Sequence, residues 1–246
     1  ISSGLIENEL KLSQGLKKYS KFSYLFKEDL SDYPDYIFWE VHDKNKVNTD
    51  LFQYFSDIIL VIPFISSQDE ERYGSVKNYL VNQLSFLSDM AEDISCIYSH
   101  DIDGIDKAIN ELGFKYSNSV STGGEADISL HGQEYSFRYD NEDDLDSRTT
   151  GISGKLVYNG STIPFQLRGV IGTPHITSLF LGLSLLQRTE VNMIDGIHAA
   201  SNAIPLPGRL KIIPGIKKTT LIDDSYSSSF ESALLSYTKG GITSAE

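Results

Sequence analysis

Two carboxylates, Asp223 and Asp224, end the β-branched run TTLIDD, and Ser225-Tyr226-Ser227 follow at once. Ser228 and Glu231 have capping-box spacing, so the segment reads as strand, loop, helix N-terminus. A strand that delivers acids to its C-terminal end ahead of a helix is a common ligand-site geometry in α/β proteins. An ordinary junction with solvated acids has the same pattern. Just upstream, Arg209 follows Pro207-Gly208 and precedes a second β-branched run, LKII, which the Pro214-Gly215 turn signal closes. A fixed cation at that place can pair with a phosphate or lock the junction. Lys217 and Lys218 read as exposed turn residues.

Other side chains have the chemistry to hold a metal or a ligand. Glu40 lies at the end of the run YIFWEV. It is either a solvated strand end or a ligand for Mg²⁺, which takes few carboxylates and completes its shell with phosphate oxygens and water. Asp69 opens the stretch DEERYGS, which is either a charged loop before a Ser75-capped helix or a source of a further oxygen donor. In the helix after it, Val76, Tyr79, Leu80, Leu84 and Leu87 form one buried stripe, and Gln83 lies on the same stripe. A polar residue on a core face needs a partner or a function. His175 opens an apolar helix after Gly172-Thr173-Pro174, as a structural residue or as a ligand contact. No G-x-x-G-K-[ST] phosphate loop occurs in the chain.

The elements that must position these residues alternate. Strand signals at 36–41, 58–62 and 94–98 are interleaved with helical patterns at 75–90 and 105–112. That order predicts an α/β fold, a mostly parallel sheet flanked by helices. From 125 to 169 short alternating runs with Asn-Gly and Gly turns predict a small antiparallel β subdomain. The acidic stretch 140–146 within it reads as a solvated loop tip. Helices are expected at 174–186 and 193–201.

The chain of 246 residues is long enough for one large domain or two smaller ones. Its net charge of −13, from 21 basic and 34 acidic residues, argues against a general nucleic-acid binder and leaves a nucleotide ligand open. The longest apolar run, 58–65, is eight residues, the length of a strand rather than of a membrane span. No signal peptide pattern is visible; the single cysteine, Cys96, excludes an intramolecular disulfide, which fits a reducing cytoplasm. The start at Ile1 and the end just after a helix begins read as an excerpt of a longer protein.

PLPGRL, a short strand, PGIK and then LIDDSYSSSFES resemble the junction between the central and C-terminal domains of the Mur ligases. The resemblance is greatest to the type that joins D-alanyl-D-alanine to UDP-N-acetylmuramoyl-tripeptide (MurF type). The family pattern I-D-D-[ST]-Y-N-[AS]-[NS]-P is met at Ile222, Asp223, Asp224, Ser225 and Tyr226, with Ser227 in place of Asn and Phe230 in place of Pro. The likeness spans roughly residues 30 to 235. It implies an ATP-binding central domain over 1–206, without its first strand and phosphate loop, and a junction with the start of a C-terminal domain over 207–246.

It also implies site roles. Glu40 and Asp69 would hold Mg²⁺, Asp69 standing where the family has His. Gln83 takes the place of a carbamylated lysine and cannot be carbamylated. His175, Arg209, Asp223, Asp224 and Tyr226 would face ATP, while Thr173, Ile176 and Leu179 replace the Gly and the two Asn of the family's G-x-H-N-x-x-N. The implied protein is a cytoplasmic, monomeric ATP- and Mg²⁺-dependent amide ligase of peptidoglycan precursor synthesis, with UDP-N-acetylmuramoyl-tripeptide and D-alanyl-D-alanine as substrates. Two alternatives remain: another amide ligase of the superfamily, such as a folylpolyglutamate synthase, or a degenerate relative that binds a nucleotide or partner without ligating.

Overall fold

Residue 95 begins the strand that best shows how the sequence builds the sheet. In Ser95–Ser99 every residue is buried. Ile97 points to one apolar cluster while Cys96 and Tyr98 point to another, the alternation of a strand covered on both faces. The computed structural model describes residues 52, 56–87, 93–136, 151–189, 191–203, 206–214 and 220–226, which fall within one compact unit, Leu51–Glu246. Glu40 and its strand, the acidic loop 140–146, Lys217, Lys218, the Pro214-Gly215 turn beyond Pro214, Ser227, Phe230 and the 228–231 capping spacing lie outside the described residues.

The described elements are β1 (Ile59–Ile62), α1 (Ser67–Tyr73), α2 (Val76–Gln83) with a 3₁₀ turn (Ser85–Leu87), β2 (Ser95–Ser99), α3 (Ile105–Leu112), β3 (Tyr116–Ser121), β4 (Ile128–Ser136), β5 (Gly151–Tyr158), β6 (Ser161–Arg168), α4 (Thr173–Leu186), α5 (Met193–Ser201), β7 (Lys211–Pro214) and β8 (Thr220–Asp223). Strands β1 to β6 form one sheet in sequence order, and β7 and β8 form a separate antiparallel pair. β1, β2, β3 and the start of β4 are parallel; β4, β5 and β6 are antiparallel. The antiparallel strands therefore extend the parallel ones rather than forming a sheet of their own. The link is short: β3 and β4 pair only at Val120↔Ile128 and Ser121↔Ser129.

The helices cover both faces. α4 and α5 bury Ile176, Phe180, Leu183 and Ile197 against Val120, Ile128, Ile152, Leu156 and Phe165. On the other face α2 and α3 bring Val76, Leu80, Ile105 and Ile109 to Ile62, Cys96 and Tyr98. Local signals start these helices. Ser66 and Ser75 cap α1 and α2 by accepting the amides of Asp69 and Asn78. The expected helix at 75–90 is thus α2 followed by a 3₁₀ turn, and the charged stretch before it is itself a helical turn, α1. Asn192 caps α5 in the same way, and Pro174 sits in the first turn of α4, where its missing N–H costs nothing.

Candidate functional site

β7 is sewn to the strand-to-helix link ahead of α4. Ile212 N–H donates to the Gly169 carbonyl at 3.0 Å and Ile171 N–H to the Leu210 carbonyl at 3.3 Å. In the β7–β8 register Lys211 lies opposite Asp223. Segments 172–175, 206–211 and 223–226 therefore converge, and five of the residues nominated from sequence meet there.

The geometry is that of a latched turn. Gly208 N–H donates to Asp223 Oδ2 at 2.8 Å, and Tyr226 N–H returns a bond to the Gly208 carbonyl at 3.0 Å. Asp223 Oδ1 accepts the Ser225 hydroxyl at 2.6 Å and the Ser225 N–H at 3.2 Å. These donors, the Ser225 hydroxyl first and then the Gly208 N–H, hold the Asp223 carboxyl below the usual carboxylate range. The Arg209 guanidinium, itself half-buried, lies 4.3 Å from the centroid of the exposed Tyr226 ring, a cation–π pair. His175 Nε2 lies 3.0 Å from the Arg209 carbonyl, so this nitrogen carries the hydrogen and donates. Burial pushes the His175 imidazole down, against the Arg209 carbonyl bond and the charge of Asp224, so the ring is neutral at pH 7.

Two backbone features were not legible in the sequence. Gly208 has φ +73°, and a Cβ there would lie 2.6 Å from the Tyr226 nitrogen. Leu210, a buried leucine, has φ +50°, a conformation that costs a non-glycine residue about 1–2 kcal/mol. Its side chain packs where Gly172, at φ +95°, leaves room: a Cβ there would meet Leu210 Cδ1 at 2.9 Å. Strain of this kind persists only where the surroundings over-determine it.

A second group forms around α1 and α2. Asp69 accepts the Ser66 hydroxyl at 2.6 Å. Tyr73 and Tyr79 stack edge to face at 5.5 Å, and Gln83 Nε2 lies 3.4 Å from the Tyr73 hydroxyl, a long bond. Burial, then the charges of Asp69 and Tyr73, raise the Tyr79 phenol. Gln83 thus has a partner for its place on the core stripe, and Asp69 is a neighbour of the same aromatic pair. Among the described residues no three of His, Cys, Asp and Glu lie close enough to share a metal ion.

Ile176 and Leu179 are fully or nearly fully buried, at 0% and 7% exposure, so they serve the core and present no edge to a ligand. An open pocket of about 490 Å³ lies between Tyr158, Ile163, Met193 and Ile194, and no residue of either group lines it. Its carboxylate, Asp195, is already engaged by the Asn192 cap.

No known family's sequence profile matches the chain, and no curated protein matches it in sequence. Solved structures do resemble it. MurF from Acinetobacter baumannii superposes with a TM-score of 0.56 at 15% identity over 73% of this chain and 36% of that one. The fold is Mur-ligase-like. MurF from Thermotoga maritima in complex with ADP gives 0.56 at 15% identity, covering 73% of this chain and 38% of that one. The Thermotoga maritima UDP-N-acetylmuramate-alanine ligase MurC gives 0.53 at 14% identity, covering 78% and 40%. This chain thus spans between 36% and 40% of the length of these three structures. Among the described residues no helix is long and apolar enough to cross a membrane.

Proposed function

We propose that the full-length protein is an ATP-dependent amide ligase of the Mur type, joining D-alanyl-D-alanine to UDP-N-acetylmuramoyl-tripeptide in the cytoplasm. The observation that carries the reading is the convergence of His175, Arg209, Asp223 and Tyr226 from three separate segments. On this reading 1–206 is the nucleotide-binding part and 207–246 the junction and the start of the domain that brings the amine.

The residues present fit the phosphate and ribose side of a nucleotide. Arg209, over the Tyr226 ring, supplies a fixed cation, and the segment that carries Tyr226 also carries the oxygens of Asp224 and Ser225. ATP would provide the phosphoryl group that activates the substrate carboxylate. The chain's own part is to hold the junction in one geometry, with Asp223 tied to Gly208 and Tyr226 spread under Arg209, so that substrate and nucleotide meet in register. The donor set for Mg²⁺ is incomplete among the described residues, since Asp69 belongs to no group of three His, Cys, Asp or Glu there. Replacing Asp223 and Asp224 by Asn in the full-length protein should lower ATP turnover by roughly tenfold or more with the fold retained. Unchanged turnover would remove both acids from the site.

A second reading, a relative that binds without ligating, is favoured by one set of observations. Ile176 and Leu179 are core residues, and Gln83 is uncharged and committed to Tyr73. A protein that binds the UDP-peptide yet releases no phosphate would be of this kind.

A further inference from the structure

β1, β2 and β3 are parallel, so their C-terminal ends share one edge of the sheet. Open parallel sheets take ligands at that edge. From it leave the segment that carries Asp69, the turn that carries His100 and Asp101, and the loop 121–124. Ile65, after β1, and Ile102, after β2, join the same apolar cluster, so the first two of these segments pack together.

His100 is held there in a single orientation. Its Nδ1 lies 2.9 Å from Asp106 Oδ2 and 3.0 Å from Oδ1. The Tyr98 hydroxyl donates to the same carboxylate at 2.7 Å. A carboxylate only accepts, so Nδ1 carries a hydrogen, and in the neutral form of the ring the lone pair is on Nε2. Nε2 has no partner among the described residues, and the side chain is 38% exposed. Opposite it stands Gly124, whose backbone does not require glycine. A Cβ there would lie 3.6 Å from Ser121 Oγ, 3.7 Å from His100 Cδ2 and 3.9 Å from His100 Nε2, so the loop meets the Cδ2–Nε2 edge of the ring. Of the two other acids on this turn, Asp101 and Asp103, the first is engaged: Asp101 accepts the Ser121 hydroxyl, the Thr122 N–H and hydroxyl at 2.8 Å each, and the Gly123 N–H at 3.3 Å. The ring contacts Asp106 from α3, which also takes the Tyr98 hydroxyl from β2; the other charged groups of these elements are Asp101 and Asp103 on its own turn and Asp127 beyond Tyr98.

We propose that His100, oriented by Asp106, is the general base of the ligation step and takes the proton that the attacking amine must lose. The inference rests on the amide-ligase reading. In the step, an ammonium group of the acceptor gives a proton to Nε2, and its freed lone pair forms the C–N bond. The bond from carbon to the phosphate oxygen of the acyl phosphate breaks, and the phosphate leaves with that electron pair and takes the second proton that the nitrogen must lose to become a neutral amide. The carboxylates around His100 favour a cationic amine over an anion as the ligand.

The test uses the full-length protein with ATP, Mg²⁺ and UDP-N-acetylmuramoyl-tripeptide. Carboxylate activation is read by trapping with hydroxylamine, a neutral nucleophile that needs no base; ligation is read with D-alanyl-D-alanine. His100→Gln should lower the ratio of amide to hydroxamate by about a hundredfold, with the amide rate climbing as pH frees the amine. Asp106→Asn, which leaves the imidazole but not its orientation, should lower the ratio less. An unchanged ratio in His100→Gln, whether both products persist or both fall together, would overturn the assignment. No hydroxamate from the unmodified protein would instead sink the ligase reading itself, and His100 as its base with it.

Discussion

Gly208→Ala places the sharpest load on the junction. At φ +73° an alanine costs about 1–2 kcal/mol. Its Cβ would stand 2.6 Å from the Tyr226 nitrogen and 2.8 Å from the Tyr226 Cβ, both close to the backbone, so no side-chain rotation relieves the clash. Forcing extra volume into such a contact adds about 1–3 kcal/mol. The shift separates the Gly208–Asp223 and Tyr226–Gly208 bonds, which join the turn to the end of β8. Together these give about 2–5 kcal/mol, and at about 1.4 kcal/mol per factor of ten that is a roughly thirtyfold to few-thousandfold gain in local opening. Amide hydrogen exchange on the purified chain should show this gain at Ile212, Ile222 and Tyr226. The amides of Val120, Ile152 and Phe180 belong to a separate apolar cluster and should keep their protection. Unchanged exchange at Tyr226 would refute the packing of the turn against β8.

Phe180→Ala removes a fully buried ring that meets Phe165 edge to face at 5.8 Å; it should cost about 3–5 kcal/mol and lower Tm by roughly 6–20 °C in thermal unfolding. A fall of only about a degree would place that ring outside the core. His175 has its pKa lowered by burial, so the unfolded chain takes up the proton first; its contribution is whole above about pH 6.5 and is lost as pH falls toward the folded value. The Tm difference between the unmodified chain and His175→Gln should therefore shrink from pH 7 to pH 5, and a constant difference would contradict the buried neutral ring. Asp223, held low by Ser225 and Gly208, gives the opposite end of the range: the latch stays closed through the ordinary carboxylate region and opens only as pH falls through its lower folded value. Tyr226 fluorescence or exchange changing already near pH 5 would rule this out.

Periodicity carried most of the fold. α3, α4, α5 and the β5–β6 hairpin lie where apolar spacing and the Asn159-Gly160 turn put them. β3 did not show: YSNSVS has one apolar residue, Val120, at 0% exposure, and its place between β2 and β4 comes from pairing rather than pattern. α1 was hidden for a related reason. It has no buried residue, so it has no apolar stripe and its signals are confined to the ends: the Ser66 cap, acids in the first turn and Gly74 at the C-cap. In the site, Asp223, Arg209 and Tyr226 were readable because a turn, a strand end and a following loop are local features. Leu210 in its left-handed conformation and the His100–Asp106 pair were not, since the first depends on what packs around Gly172 and the second on the path of α3.

Phosphate release by the full-length protein, with ATP, Mg²⁺, UDP-N-acetylmuramoyl-tripeptide and D-alanyl-D-alanine, and with each substrate omitted in turn, bears most directly on the central claim. The account predicts release that requires both the UDP-peptide and the dipeptide. No release under any combination, with measurable binding of the UDP-peptide, would contradict it and leave a Mur-like fold that binds without ligating.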